Sequence, residues 1–298
     1  MKAASAFPAN ARVACLELVF LLAFLFSAIV SRAQEPPYFV TYSDYMEEQG
    51  NLEVEFKGAW GTPTYGNQFR SGTVEFEYGA LGWWTTEVYL SGQNTANDST
   101  IFTGYRWENR FRPFPRDYII NPVFYVEYED VNFADRSFLE VTGHATQQDL
   151  LIPNSVARQD IERSLETKLI LSSNVKGWNI SENFIAEKAL NDNEPWEFGY
   201  ALGVSRPLAN AASARNCTFC RERFIAAAEM FGGLGDGNGF GLRATSQYLG
   251  PILSYDIPKG PNVAFSIDFG LNDNSVPRIY RIKVSYEFEQ IFRRKGSK

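Results

Sequence analysis

The stretch Val74-Glu-Phe-Glu-Tyr-Gly-Ala-Leu-Gly-Trp-Trp-Thr-Thr-Glu-Val-Tyr-Leu90 decides the fold. Val74, Phe76, Tyr78 and Ala80 alternate with Glu75, Glu77 and Gly79. Leu81-Gly82 interrupts the run, and Trp84, Thr86, Val88 and Leu90 then alternate with Thr85, Glu87 and Tyr89. A period of two sends successive side chains to opposite faces of a strand. Two such runs across a short glycine-containing break predict an antiparallel hairpin. Its faces differ: one is apolar and aromatic, the other carries carboxylates.

The same pattern recurs along the chain. It covers residues 52–60, 73–80, 84–90, 101–108, 120–129, 165–172, 178–187, 196–205, 224–231, 248–255, 263–271 and 280–288, with Gly/Asn/Asp/Pro clusters between. Most segments keep apolar and polar faces apart. In 178–187, Glu182 falls on the apolar side, and 101–108 reads as Ile101, Thr103, Tyr105 and Trp107 against Phe102, Gly104, Arg106 and Glu108. A soluble sandwich would also alternate, but with shorter strands and its charges on a solvated face. Here Trp60, Trp84, Trp107, Trp178, Trp196, Tyr280 and Phe288 sit near segment ends on the apolar face. Aromatic girdles bounding an apolar band mark an outer-membrane barrel, and closure removes the edges that so many apolar strands would expose. The expected fold is all-β, a single antiparallel transmembrane β-barrel over 51–288 with about twelve strands. Fourteen is the alternative if Phe138 to Thr142 forms a strand with a partner near Tyr38 to Tyr42.

The chain is 298 residues long and 45% apolar, ample for a core and incompatible with wholesale disorder. Its 24 Phe, 15 Tyr and six Trp against three Met favour strands. Residues 1–33 are read as a signal peptide. Lys2 and Arg12 precede the apolar run Leu18 to Val30, and Ser31-Arg32-Ala33 offers a cleavage site. The run is shorter than the roughly 20 residues that a spanning helix needs. Cleavage leaves an acidic chain, since it removes Lys2, Arg12 and Arg32 against Glu17. That balance excludes a nucleic-acid partner, which requires clustered Lys and Arg. Residues 34–50 are expected to be irregular and 289–298 to form a periplasmic tail. With the N-terminus periplasmic, short turns fall at 81–82, 112–117, 174–177 and 256–262. Longer outer loops fall at 61–70, 91–98, 130–163, 190–195, 232–241 and 272–278. The long link 207–222 is the exception on the short-turn side.

The final segment, Tyr280-Arg-Ile-Lys-Val-Ser-Tyr-Glu-Phe288, resembles the C-terminal signal by which outer-membrane barrels are recognised for assembly, although Glu289 to Lys298 follows it. The Val74–Leu90 hairpin, with Trp178 to Leu208 and Phe224 to Tyr255, resembles outer-membrane proteins grouped with the MetA pathway of phenol degradation. That resemblance implies an outer-membrane β-barrel passing small solutes, and brings no site residues with it.

The polar face supplies the candidate site. Glu53, Glu55, Glu75, Glu77, Glu87, Glu108, Glu127 and Glu129 would line the lumen with Arg106, Lys168, Arg281 and Lys283. Glu166, Glu187, Glu197, Glu229, Asp268, Glu287, Lys57 and Arg110 share that face. Acids in excess along a pore favour cations; the competing reading is a narrow lumen filled by paired charges. Cys217 and Cys220, the two cysteines of the exported chain, are a disulfide candidate. They are too few for a tetrahedral zinc site, so neither a metal nor a cofactor is expected. His144, the single histidine, lies in an outer loop near Thr142, Thr146 and Ser137. Twelve-strand lipid hydrolases carry a His followed two residues later by Ser-Asn, whereas here the run is His144-Ala-Thr-Gln147. No catalytic residue is therefore assigned. The glycine-rich run Gly232 to Gly241 lacks the Lys-Ser/Thr of a P-loop and reads as a hairpin loop.

The expected function is a narrow porin-like channel passing small solutes or cations through the outer membrane of a Gram-negative bacterium. The expected partners are outer-membrane lipid and the barrel assembly machinery. The alternatives are a plugged structural or ligand-binding barrel that uses its outer loops, and a lipid-acting enzyme.

Overall fold

A computed structural model describes residues 36–137, 141–143, 149–209 and 217–291. Its strands are β1 (Leu52–Gly61), β2 (Phe69–Leu81), β3 (Trp84–Thr95), β4 (Thr100–Phe111), β5 (Asn121–Asn132), β6 (Ile161–Val175) and β7 (Trp178–Ala189). They continue with β8 (Glu197–Pro207), β9 (Phe224–Asp236), β10 (Gly239–Phe240), β11 (Gln247–Asp256), β12 (Asn262–Gly270) and β13 (Arg278–Phe288). Each strand pairs antiparallel with its neighbour in the chain, except that β10 only extends the end of β9 and β11 pairs with β9 directly. The pairing of β13 with β1, from Leu52 against Phe288 to Gly61 against Ile279, closes a twelve-stranded barrel. Closure satisfies every strand edge, the condition for spanning a bilayer with β-structure.

All twelve expected segments are strands. The fourteen-strand alternative does not form, because Tyr38 to Tyr42 lies inside the barrel as irregular chain. Of 138–142, only Val141 and Thr142 are described, and the adjoining Gly143 makes a single bridge to Gly235. The glycine run belongs largely to strand, since Gly232 to Asp236 ends β9 and turns into β10.

Alternation sets the two faces. Phe56, Phe76, Val88, Leu90, Phe124, Phe184, Leu202 and Phe265 point outward and are exposed, while Glu55, Glu75, Glu87 and Glu127 between them are buried. Trp60 packs tilted against Tyr280 at one rim, 5.4 Å between ring centres, and Trp84 stacks on Phe111 at the other, 6.3 Å. This outer surface would be insoluble as a solvated face and is matched to lipid. Lys176-Gly177, both with positive φ, form the two-residue turn between β6 and β7.

One face assignment is corrected. A bulge opposite Ser91/Gly92 shifts the register between Gly104 and Phe102. Thr103 therefore turns inward and Phe102 outward, 62% exposed. The extra residue of a bulge reverses the alternation beyond it. Gly104 permits the bulge, because a β-carbon there would meet the Asp130 carbonyl at 2.3 Å.

Candidate functional site

Register turns the inward acids into a continuous row. Glu287 pairs with Glu53, Glu53 with Glu77, Glu77 with Glu87, Glu87 with Glu108 and Glu108 with Glu127. Glu127 then pairs with Glu166, Glu166 with Glu187 and Glu187 with Glu197. Every strand from β13 through β8 contributes one glutamate. Barrel strands are tilted, so a row following the inter-strand pairing climbs along the barrel axis. Glu287 and Glu53 lie at the end where the chain enters and leaves the barrel, Glu127 lies mid-strand, and Glu197 opens β8 at the opposite end. The row therefore runs from mouth to mouth.

Like charges directly opposed across strands destabilise a sheet, and cations lie beside the row, mostly two residues along on the same face. Arg110 bonds Glu77, sits 2.8 Å from Glu108 and 3.5 Å from Glu87. Arg106 Nε lies 3.0 Å from Glu129, and its Nη2 lies 2.7 Å from Asp135. Lys168 Nζ lies 2.8 Å from Glu166. In a second row, Lys57 Nζ stands 2.7 Å from Glu75 and 3.1 Å from Glu55, which Lys283 approaches at 3.4 Å. Arg281 pairs with Asp268 at 2.5 Å on the far side. Most of these residues are buried or half-buried on the inner wall, Glu287 at the rim being exposed, and carboxylates outnumber cations among them.

Residues 36–50 cross this lumen. The backbone N–H groups of Phe39, Val40 and Thr41 all donate to one oxygen of Glu229, at 3.3, 3.0 and 3.2 Å. Tyr42 donates its N–H to Asn183 and its hydroxyl to Glu108. Asp44 accepts from Asn121 and Ser172, both at 2.8 Å, and the Glu47 N–H donates to Thr85. Tyr38, Phe39 and Val40 pack with Ala201, Phe231, Tyr248 and Ile252 in a buried cluster inside the barrel. Burying an aromatic or β-branched side chain there is worth about 1.5–3 kcal/mol. The small residues of β8 make the room, since a β-carbon at Gly203 would lie 2.7 Å from the Tyr38 ring.

The long connection between β5 and β6 enters from the other mouth. Arg136 and Ser137 are buried and Asp135 half-buried against Arg106 and Ser71. Burial alone would push the Asp135 carboxyl up, but the Arg106 guanidinium and the Ser137 hydrogen bonds outweigh it and hold it below the usual range. Cavities lie between these groups among the described residues. One, of about 130 Å³, is bounded by Arg106, Tyr125, Glu127, Glu129, Glu166, Lys168 and Glu187. Another, of about 40 Å³, lies beside Glu55, Lys57, Glu75, Glu87 and Arg110. Phe39 and Tyr42 line both and stand between them.

No protein-family model and no curated protein matches the chain, so the resemblance to the MetA-pathway group gains no support there. Solved structures match by fold. The COG4313 outer membrane channel from Pseudomonas putida F1 aligns with a TM-score of 0.56 at 8% identity, covering 86% of this chain and 100% of that one. The NanC porin aligns at 0.48 with 12% identity over 78% and 98% of the two chains. Outer membrane phospholipase A from Escherichia coli aligns at 0.37 with 10% identity over 88% and 96%. An identity of 8% to the channel carries the barrel fold alone.

Cys217 and Cys220 are joined by a disulfide in the link between β8 and β9. His144 lies outside the described residues, as does the segment 1–33 expected to be a signal peptide. Ser137 donates its hydroxyl to Asp135 at 2.7 Å. The sequence reading missed residues 36–50 and Asp135 as lumen groups. Its one available signal was the density of Tyr38, Phe39, Tyr42, Tyr45 and Met46 in a segment assigned no strand.

Proposed function

We propose that the chain is a narrow porin-like channel of a Gram-negative outer membrane. It passes small solutes with a preference for cations, and residues 36–50 hold it closed. The carboxylate row from mouth to mouth carries this reading. Neighbouring strands lie about 4.8 Å apart, so a cation leaving one glutamate meets the next within a short step, and rings of acids select cations in pores. The closing segment is held by hydrogen bonds from irregular backbone, of which Glu229 takes three. The apolar outer belt addresses outer-membrane lipid, and β13 presents Tyr280 to Phe288 to the assembly machinery.

A second reading, a permanently plugged barrel that binds a partner through its loops, draws on the same occupancy of the lumen. Single-channel recording across a salt gradient separates the two. The mature chain lacking residues 36–47 is expected to conduct in discrete steps with a cation-selective reversal potential, and the intact chain in smaller or rarer ones. Silence from both, with heat-modified gel mobility showing folded barrels, overturns the channel.

A further inference from the structure

The larger cavity is faced by a carboxylate that no hydrogen-bond donor among the described residues reaches. Glu127 is 4% exposed and faces the cavity, yet it accepts no hydrogen bond among the described residues. Its nearest cation, Arg106 Nε, stands at 4.0 Å and is engaged by Glu129 at 3.0 Å, while Arg106 Nη2 is engaged by Asp135 at 2.7 Å. The other cation, Lys168, sits 2.8 Å from Glu166 and is held over the rings of Tyr42 and Tyr125, 4.6 and 4.1 Å from their centres. Glu127, Glu129 and Glu166 each offer a carboxylate oxygen within 4.8 Å of the others. Glu187 adds a further carboxylate to the same wall, where it accepts from Thr142 at 2.7 Å. A buried carboxylate without donors is costly unless a cation or a proton arrives.

We infer that Glu127, Glu129 and Glu166 form a binding station for a divalent cation of the calcium class. Calcium takes six to eight oxygen ligands at flexible geometry. The three carboxylates supply part of that set, and a cavity of about 130 Å³ leaves room for the ion and several waters to complete it. Calcium suits the site better than magnesium, which demands near-ideal octahedral geometry. Arg106 and Lys168 hold the affinity low, in the range of about 0.1–1 mM. The station deepens the cation-channel reading, for it lies midway along the carboxylate row, but binding there does not require conduction.

The test is calorimetric titration of the folded mature protein with calcium chloride. A parallel titration with terbium follows luminescence sensitised through Tyr125, and the cation is also present during one refolding so that access is not limiting. One saturable calcium site is expected per barrel, at least tenfold weaker in Glu127→Gln and unchanged in Glu182→Gln on the outer face. Absence of binding to a folded barrel at 5 mM calcium overturns the station, as does equal affinity in Glu127→Gln. Glu129→Gln, which keeps Glu127, is a second reading of the same site should Glu127→Gln fail to fold. A barrel that binds calcium but never conducts keeps the station and removes the channel. One that conducts but does not bind does the reverse.

Discussion

From β1 to β7 the wall reaches into the lumen with Glu55, Lys57, Glu75, Glu87, Arg106, Arg110, Glu127 and Lys168, whereas from β8 to β12 it presents Gly199, Ala201, Gly203, Ala264 and Ser266. Long charged side chains fill the first side and pair with one another. On the second side the chain itself enters: Tyr38 lies against Gly203, and the carbonyl of Val141 would meet a β-carbon at Gly199 at 1.9 Å. Small residues at these positions thus leave room for the Tyr38 end of the segment, while Phe231 and Tyr248 also reach inward on that side and Tyr42, Asp44 and Glu47 bond to β3 through β6 on the other. Charge distribution differs too, because ion pairs collect where side chains are long enough to meet, while Glu229 on the small wall turns to backbone N–H groups instead.

The sharpest way to break this contrast is Gly203→Phe. The ring would occupy the Tyr38 site, and the barrel should stay folded by gel mobility while residues 36–43 lose their seat. Chymotrypsin is expected to cut at Tyr42 at least tenfold faster than in the parent. Equal rates would show that the small wall does not seat the segment.

A smaller effect is expected at Glu229, where the donors would lose their acceptor. Each buried unsatisfied N–H costs at least about 1 kcal/mol, so Glu229→Leu should speed hydrogen exchange at Phe39, Val40 and Thr41 by about fivefold. Unchanged protection there would assign the seating to the apolar cluster around Phe231 and Tyr248.

The charged wall is tested more gently by converting Glu75, Glu77, Glu127 and Glu129 together to Gln, which keeps shape and removes charge. Cation-over-anion permeability should fall by about threefold in the chain lacking residues 36–47. A constant reversal potential would mean that ions do not follow this wall.

Much of the fold was legible because strand alternation is local. The Val74–Leu90 run carries its two faces in adjacent residues, and each inward acid follows from that period. The exception, Phe102 and Thr103, arose because the bulge at Gly104 depends on how β4 meets β3 and β5. The cation station was partly legible: Glu127, Glu129 and Lys168 stood in the candidate list. That Glu127 receives no hydrogen bond while Arg106 turns to Asp135 was not, since Asp135 comes from a connection whose path no periodicity describes.

The sequence by itself determined the twelve alternating segments, most of their inner and outer faces and the acidity of the inner face, because each depends on the order of neighbouring residues. Only the tertiary structure decided that the acids align from strand to strand into one row, since pairing register belongs to two strands at once. It alone also placed residues 36–50 inside the barrel. The contacts holding them, such as Val40 with Glu229 at a separation of 189 residues and Tyr38 with Asn179 at 141, exist only once the barrel has closed.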